Sequence, residues 1–185
     1  MEALRNDKRY TYADYAGWDT KDRYELIDGV PNMLASPTDE HQRISGNLFA
    51  ELHNFLRGKP CKIRSAPYDV RLHAAGDDDD TVVQPDIVVI CDHSKLDAKG
   101  CNGAPDLVIE ILSGSSASRD KVLKFNRYLN AGVREYWIID PDSRTVMVNI
   151  LDNGRYYNTA YDDDDAIPVH VLAGCTISLS DVFAE

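Results

Sequence analysis

Two short apolar runs constrain the fold of this chain more than any other feature. Residues 87–90 and 107–112 are almost wholly aliphatic, without the alternation of apolar and polar side chains that a half-exposed strand shows. Such runs indicate β-strands that are covered on both faces. A chain with two of them needs a sheet with a layer packed on each side.

Two amphipathic segments are predicted to form those layers. One helix is expected from Thr38, a favourable cap, to about Leu56, and a second from about Ser118 to Ala131, ended by Gly132. Their apolar residues recur every three or four positions, which is the spacing of one helix face. The predicted inward residues are Ile44, Leu48, Leu52 and Phe55, with His41 at the start of their stripe, and Val122, Phe125 and Leu129.

Further strands are predicted towards both ends of the chain, and Asp28-Gly29 is a typical hairpin turn. A length of 185 residues fits one domain, residues 1–185. We therefore expect an α/β (α+β) fold with a central mixed sheet flanked by helices and extra N-terminal and C-terminal strands. The remaining predicted elements are a short helix at 10–18 and strands at 24–27, 30–34, 61–72, 82–90, 135–140, 145–151, 155–161 and 177–183.

The acidic composition argues only weakly against a nucleic-acid partner. The formal net charge is −11, and phosphate binding depends on Lys and Arg. Eight of the 31 acids lie in the runs 77–80 and 162–165, and without these eight the net charge would be −3. We expect both runs to be solvated hairpin tips, since they lack the ligand pattern of a calcium loop. Two basic clusters would contact a polyanion or form solvated faces: Arg57, Lys59, Lys62, Arg64 and Arg71, and Arg119, Lys121, Lys124, Arg127 and Arg134.

The cysteines and the apolar segments indicate a cytosolic chain. No apolar run approaches the roughly 20 residues of a membrane span, and the first ten residues are too polar for a signal peptide. The scattered cysteines form no zinc motif or disulfide pattern, so reduced, mostly buried thiols are predicted. These cysteines are Cys61, Cys91, Cys101 and Cys175.

Two acids at the apolar runs are the first candidates for chemistry. Glu110 interrupts one run, and a carboxylate inside a buried strand is costly without a compensating cation. Alternatively, Glu110 ends a strand and meets an arginine or solvent. Asp86 follows Pro85 at the mouth of the other run. If the strands are neighbours, the two carboxylates converge and would bind Mg²⁺ or Mn²⁺, which prefer oxygen ligands and promote phosphodiester hydrolysis.

A basic group for the same site is predicted on the second helix. Asp120, Lys124 and Tyr128 follow one another at intervals of four, so they share one stripe of that helix. Lys124 would hold the attacking water or the charge of the transition state. The alternative is an ordinary surface pair between Asp120 and Lys124.

The same residues carry a family resemblance that extends from about position 24 to position 140. The chain resembles the Uma-type restriction endonucleases, a branch of the PD-(D/E)XK nuclease superfamily. The segment AGVREYWIIDP, residues 131–141, is its most specific part. The other matching segments are YELIDG at 24–29, His41, QPD at 84–86, DLVIEILS at 106–113, and the trio Asp120, Lys124 and Tyr128.

The resemblance implies a restriction-endonuclease-like core, a divalent metal at Asp86 and Glu110, and a homodimer. Glu25 matches the acid of the family's YEL motif and His41 its helix histidine, both reaching the site. Their alternatives are a strand-edge salt bridge and an ordinary core histidine. The superfamily's strand lysine is replaced by Leu112, which makes Lys124 the candidate, and Gly114 stands where relatives often have proline.

Three hypotheses follow from these observations. The first is a Mg²⁺- or Mn²⁺-dependent endonuclease acting on nucleic acid, with DNA favoured, and with Asp86, Glu110 and Lys124 at its centre. The second is an inactive nuclease-fold module that binds nucleic acid or protein. The third is an accessory protein that avoids DNA. Leu112 and the net charge favour the last two, whereas the acidic pair and Lys124 favour the enzyme.

Overall fold

The fold has two six-stranded sheets, with a small two-stranded sheet near the C-terminus. The computed structural model describes residues 8–113 and 117–185, and for 117–122 it describes the backbone alone. The helices are α1 (Tyr12–Ala16), α2 (Asp39–Leu56), α3 (Ala117–Ala131) and α4 (Leu179–Val182). The strands are β1 (Tyr24–Ile27), β2 (Val30–Met33), β3 (Lys62–Ser65), β4 (Val70–Arg71), β5 (Val82–Val83), β6 (Ile87–Ile90), β7 (Leu96–Asp97), β8 (Gly100–Asn102), β9 (Leu107–Ile111), β10 (Glu135–Asp140), β11 (Thr145–Asp152), β12 (Arg155–Tyr161), β13 (Ala166–Pro168) and β14 (Thr176–Ser178).

The central sheet is mixed, as predicted. Its strand order is β12-β11-β10-β9-β6-β3, and only the β9–β10 pair is parallel. The second sheet has the order β2-β1-β5-β4-β8-β7 and contains the predicted hairpin at Asp28-Gly29. The small sheet pairs β13 with β14.

Both faces of the central sheet are covered, which confirms the interpretation of the two apolar runs. In β6, Ile87 and Val89 pack in one apolar cluster with α2, while Val88 and Ile90 pack in another with Tyr128 of α3. Because successive strand residues point to opposite faces, an unbroken apolar run satisfies both layers. Within the described residues, no helix is long and apolar enough to cross a membrane. The one-domain prediction stays a prediction.

The prediction of one strand at 82–90 is wrong, because residues 84–86 interrupt it and leave two separate strands. β5 pairs with β1 and β4 in the second sheet, whereas β6 pairs with β3 and β9 in the central sheet. Pro85 has no N–H to donate to a ladder, so a strand is readily interrupted there. The predicted strand at 61–72 is likewise divided between the two sheets, as β3 and β4.

Three smaller expectations are corrected. Leu56 rather than Phe55 is the buried residue at the end of α2, with Phe55 half-buried. The C-terminal segment is a strand only to Ser178 and then turns into α4. Asp79 is buried rather than solvated, because its carboxylate accepts N–H groups of His73, Ala75 and Thr81 and thereby shapes the loop of the first aspartate run.

The prediction of four reduced thiols is wrong for one pair. Cys61 and Cys91 form a disulfide, whereas Cys101 and Cys175 are free and buried. Lys62 pairs with Ile90 in the β3–β6 ladder, so the next residues outward, Cys61 and Cys91, meet across the two strand ends. Disulfides are rare in reducing compartments, so this bond gives no support to the cytosolic prediction.

Removing this disulfide is expected to destabilise the chain. Because it closes a loop with a sequence separation of 30, Cys61→Ser together with Cys91→Ser should lower the free energy of unfolding by about 3.5 kcal/mol. Denaturant unfolding of the oxidised wild type and the double variant measures this difference. Adding a reductant should shift the wild type alone, and an equal shift in the double variant would contradict the assignment.

Candidate active site

All five residues predicted for the site line one cleft of about 430 Å³. The cleft lies between the β1–β2 hairpin, α2 and the carboxyl end of β9. Its formation from segments far apart in the sequence requires the two sheets to meet beside β6. The five residues are Glu25, His41, Asp86, Glu110 and Lys124.

Asp86 is held at the break that precedes β6. Ile87 pairs with Ile109, so Asp86 lies beside Glu110 at the next position of the antiparallel ladder, and the expectation that the two strands are neighbours is confirmed. The Asp86 carboxylate accepts two hydrogen bonds on Oδ2, from His41 Nε2 at 3.2 Å and from the Ile111 backbone N–H at 2.7 Å. Within the described residues, no hydrogen bond engages Oδ1, which leaves that oxygen available to a ligand.

Glu110 occupies a position that is unfavourable for a charge. Its side chain is 13% exposed, and Oε1 accepts hydrogen bonds from Lys124 Nζ at 2.9 Å and from the Tyr128 hydroxyl at 2.6 Å. Burial raises the pKa of Glu110 to about 7, and the nearby charges of Asp86 and Glu25 add to the rise against the lowering effect of Lys124. The alternative that Glu110 meets an arginine or open solvent is therefore wrong.

Lys124 joins two acids from different sheets. Its ammonium donates to Glu25 Oε1 at 2.8 Å and to Glu110 Oε1 at 2.9 Å, and its side chain is 13% exposed. Burial alone would lower the pKa of Lys124, but the attraction of Glu110 and Glu25 outweighs burial and raises it. Lys124 is therefore a cation at neutral pH. It points into the cleft. The side chain of Asp120, its partner in the alternative, lies outside the described residues.

Glu25 is buried and fully engaged on one oxygen. Only 2% of the residue is exposed, and Oε1 accepts from Lys124 and from the Gln84 backbone N–H at 2.8 Å. The salt bridge expected as its alternative role does exist, yet it lies inside the cleft rather than at a strand edge. Glu25 thus ties the second sheet to α3.

His41 supports Asp86 from the first turn of α2. The Thr38 side chain caps this helix by accepting a hydrogen bond from the His41 backbone N–H, which fixes the backbone from which the imidazole extends. The hydrogen bond to Asp86 raises the pKa of His41, against the lowering effect of burial. Its Nδ1 is buried and has no hydrogen-bond partner within the described part of the chain. A buried nitrogen without a partner is uncommon, and the role of His41 beyond its contact with Asp86 stays a prediction.

The sequence did not assign three other contributors to the site. Tyr128 shares a helix stripe with Lys124 but is fully buried, and its hydroxyl binds Glu110. The interval of four residues was the available signal for it. The backbone N–H groups of Gln84 and Ile111 bind Glu25 and Asp86. No residue type announces a backbone donor, so only the folded chain places these two.

Of the two departures from the superfamily pattern, Leu112 is described by the structure and Gly114 is not. Leu112 lines the cleft, two residues after Glu110 and therefore on the same side of the chain if the strand geometry continues. The side chain of Asp120 and the whole of Gly114 lie outside the described residues. Lys124 of α3 therefore stays the predicted substitute for the strand lysine that Leu112 replaces.

The two predicted basic clusters are only partly available as surfaces. Arg71 is buried and pairs with Asp97, and Lys124 lies inside the cleft. Arg127 pairs with Asp28 and Arg134 with Asp106. The side chains of Arg119 and Lys121 lie outside the described residues. Arg23 is an exposed cation that lines the cleft, whereas Lys62 and Arg64 are exposed on β3 and do not line it.

The charges and the free carboxylate oxygens of the cleft suit a divalent metal ion. Asp86, Glu110 and Glu25 bring three carboxylates to one cleft, and Lys124 brings one ammonium. Burial is the main cause of the raised pKa of Glu110, and the charges of Asp86 and Glu25 add to it against the lowering effect of Lys124. Oδ1 of Asp86 and Oε2 of Glu110 accept no hydrogen bond within the described residues, and carboxylate oxygens are the ligands that Mg²⁺ and Mn²⁺ prefer. The residues present fit such an ion.

A compact group of possible metal ligands lies outside the cleft. Within the described residues, His73, Asp79 and Asp80 form the one group of three ligand atoms within 4.8 Å of one another. Because Asp79 already accepts three backbone N–H groups there, the loop itself explains its position. In the cleft, Lys124 instead occupies Oε1 of both Glu25 and Glu110.

The coupling between these groups predicts a stability that falls as pH rises. Glu110 has a pKa near 4.5 in the unfolded chain and about 7 in the folded one. The folded state therefore holds this proton more tightly, and the stability it contributes is lost as pH rises from about 4.5 to about 7. The raised pKa of His41 contributes stability that is complete below 6.5 and lost as pH passes through the higher folded value. Each unit of difference in pKa corresponds to about 1.4 kcal/mol.

Denaturant unfolding in EDTA between about pH 5 and pH 8 measures this loss. Glu110→Gln and His41→Asn should each flatten the fall in the free energy of unfolding. His53→Asn, at an exposed position of the same helix, is the control and should retain the slope of the wild type. Slopes that are the same in all four proteins would contradict the assignment.

Comparisons with known proteins identify the family and the fold. The family model Uma2, described as "Putative restriction endonuclease", matches residues 11–180. A protein of Synechocystis sp. named "Uncharacterized protein slr1290" is 25% identical over 158 residues, which span 83% of this chain and 81% of that protein.

The crystal structure of a protein of Anabaena variabilis, described as "a putative nuclease belonging to DUF820", has a TM-score of 0.75 to this chain at 22% identity. The match covers 94% of this chain and 97% of that one. This likeness confirms the nuclease-like fold. Since the family model spans nearly the whole chain and the fold agrees, the protein belongs to the Uma2 family of restriction-endonuclease-like proteins.

Proposed function

We propose that this protein is a Mg²⁺- or Mn²⁺-dependent endonuclease that hydrolyses phosphodiester bonds of nucleic acid. The observation that carries the proposal is the position of the Lys124 ammonium, held between Glu25 and Glu110 in the cleft that also contains Asp86. The family match and the nuclease-like fold support a nuclease in general terms. The metal and the roles of individual residues belong to the proposal.

Asp86 and Glu110 would hold the ion. When bound, the ion would polarise a phosphoryl oxygen and lower the pKa of water. The Ile111 N–H and His41 fix the Asp86 carboxylate, so that its free oxygen keeps a constant direction. Tyr128 fixes Glu110 in the same way. These contacts reduce the reorganisation that a charged transition state would otherwise require.

Lys124 would act on the substrate side of the site. Its raised pKa keeps it protonated, so it donates hydrogen bonds and does not serve as a base. A cation at this place stabilises the negative charge that grows on the phosphoryl group during attack. Glu25 would hold the ammonium towards Glu110 and away from solvent, as a positioning residue.

The substrate class follows from the chemistry of the cleft. A metal beside a cation is suited to a phosphodiester, and the exposed Arg23, which lines the cleft, would provide a phosphate contact. DNA is the proposed partner. The overall negative charge implies few such contacts, so binding should require low salt and weaken as salt rises.

Cleavage in Mn²⁺ tests the reaction. On a mixture of plasmid and single-stranded DNA, Glu110→Ala and Lys124→Met should each lower the rate about 100-fold or more. Glu110→Ala removes a ligand of the ion, and Lys124→Met removes a cation that would stabilise the charge of the transition state. Lys99→Met is the matched control, since Lys99 is exposed and pairs with Asp77 outside the cleft.

The pattern of activities distinguishes the hypotheses. Equal activity in the wild type and Glu110→Ala would indicate a contaminating nuclease. No activity in any of the purified proteins would replace the enzyme by the inactive binding module with the same fold.

Metal binding is tested without reference to activity. An ion that binds only the folded state raises the unfolding temperature, and a concentration of about 100 times Kd contributes about 2.7 kcal/mol. Millimolar Mn²⁺ should therefore raise the midpoint of the wild type by several degrees. Asp86→Asn should abolish the rise and Asp80→Asn should retain it. The reverse pattern would assign the metal to His73, Asp79 and Asp80 instead.

A further inference from the structure

Arg23 is a cation of the cleft that is held in place by a neutral group. Its Nε and Nη2 both donate to the side-chain oxygen of Gln84, at 3.1 and 2.6 Å, and no carboxylate pairs with it in the part of the chain that the structure describes. An amide oxygen orients a guanidinium but has no charge with which to neutralise it. The charge of Arg23 is therefore fixed in position and still available to an anion.

The side chain of Gln84 is itself held in one orientation. Its nitrogen donates to Asp69 Oδ1 at 2.9 Å and to the Tyr15 hydroxyl at 2.8 Å, and that hydroxyl donates to the same Asp69 oxygen at 3.0 Å. A carboxylate accepts and a guanidinium donates, so the amide nitrogen must face Asp69 and the oxygen must face Arg23. A flipped amide would place oxygen against carboxylate and donor against donor.

Tyr15 keeps its part of this arrangement at any working pH. Burial, together with the charge of Asp69, raises the pKa of Tyr15, so its hydroxyl stays protonated and continues to donate to Asp69. The Gln84 amide makes the four hydrogen bonds that its two donors and its oxygen allow. A fully bonded amide of this kind is a rigid support for the guanidinium.

Arg23 and Gln84 are placed in the same way relative to the acids of the cleft. The Arg23 carbonyl accepts the Leu34 N–H, so the β1–β2 ladder extends to Arg23, and Arg23 and Glu25 both line the cleft. Alternate residues of a strand share a face, and two residues span about 7 Å. Gln84 likewise precedes Asp86 by two residues, and its backbone N–H binds Glu25. The guanidinium therefore belongs to the same wall as the acids but begins one strand repeat away from them.

We propose that Arg23, positioned by Gln84, Asp69 and Tyr15, binds a second phosphate of the substrate strand, next to the phosphate that is cleaved. The ion and the Lys124 ammonium would act on the cleaved phosphate. The displacement along β1 is comparable with the distance between successive phosphates of an extended strand. The inference rests on the proposed function, because it assigns a further contact of the same substrate.

A second phosphate contact restricts the class of substrate. Only a substrate with at least two successive phosphates uses both contacts, so an oligonucleotide is favoured over a diester with a single phosphate. The guanidinium reaches the backbone of the strand, which is the same for every sequence. We therefore expect selectivity for polynucleotides without a preference for the base at this position.

Binding of a labelled single-stranded oligonucleotide in EDTA, followed by fluorescence anisotropy over a range of salt, tests the contact without turnover. Arg23→Gln should weaken binding about tenfold, as for the loss of a charged hydrogen bond. It should also reduce the slope of log binding constant against log salt by about 0.7, the value for one phosphate of a single strand. Arg155→Gln is the matched control and should change neither, because Arg155 is exposed, has no acidic partner among the described side chains and lies outside the cleft.

Two further variants test the positioning. Gln84→Glu provides a carboxylate that neutralises Arg23, so it should reduce the salt slope as Arg23→Gln does. Tyr15→Phe keeps the charge and removes one support of the amide, so it should weaken binding roughly threefold and retain the slope. Arg23→Lys should also retain the slope. A purely structural role of Gln84 would lower the unfolding temperature of Gln84→Glu and leave its slope as in the wild type, which would overturn the positioning.

Cleavage in Mn²⁺ tests the class of substrate. Bis(4-nitrophenyl) phosphate is a diester with one phosphate, so the ratio of kcat/KM for the oligonucleotide to kcat/KM for this compound should fall about tenfold in Arg23→Gln. The ratio in Arg155→Gln should equal that of the wild type. An unchanged ratio in Arg23→Gln would overturn the inference even though both substrates are cleaved.

The binding measurement separates this inference from the proposed catalysis. If neither substrate is cleaved but Arg23→Gln still reduces the salt slope, the catalysis fails and the phosphate contact stands. A wild type that does not bind the oligonucleotide at low salt, or a slope that Arg23→Gln leaves unchanged, would overturn the contact.

Discussion

The site depends on one buried contact, the ammonium of Lys124 between the carboxylates of Glu25 and Glu110. Each of these groups would be costly to bury alone, and together they compensate one another. The contact also joins β1 of the second sheet, β9 of the central sheet and α3, which are otherwise separate elements. Removing the cation would leave two acids facing each other beside Asp86, so the arrangement of the cleft and its chemistry have the same origin.

The interruption at residues 84–86, between β5 and β6, also shapes the cleft. It passes the chain from the second sheet to the central sheet, and each of its two polar residues serves the cleft: the Gln84 N–H binds Glu25 and Asp86 lies beside Glu110. Pro85 makes the break possible, because it cannot join a ladder. The junction of the sheets is thus also the place where the acids converge.

The net charge of the chain does not describe the charge of its individual surfaces. The aspartate runs account for most of the net charge, yet Asp79 acts inside a loop rather than in solvent. Several of the predicted surface cations are paired or buried, while Lys62 and Arg64 of β3 are exposed. The strand at the other edge of the same sheet is almost uncharged.

The sequence by itself determined the elements whose signals are local. Unbroken apolar runs required a sheet covered on both faces, the cap at Thr38 and the apolar stripe defined α2, and a carboxylate within a buried run marked Glu110. Tertiary structure decided everything that depends on pairing between distant segments. The β3–β6 register brought Cys61 to Cys91, the division of 82–90 placed its halves in different sheets, and backbone N–H groups reached Asp86 and Glu25. Such contacts have no local signature, because a strand records which of its faces are buried but not which strand lies beside it.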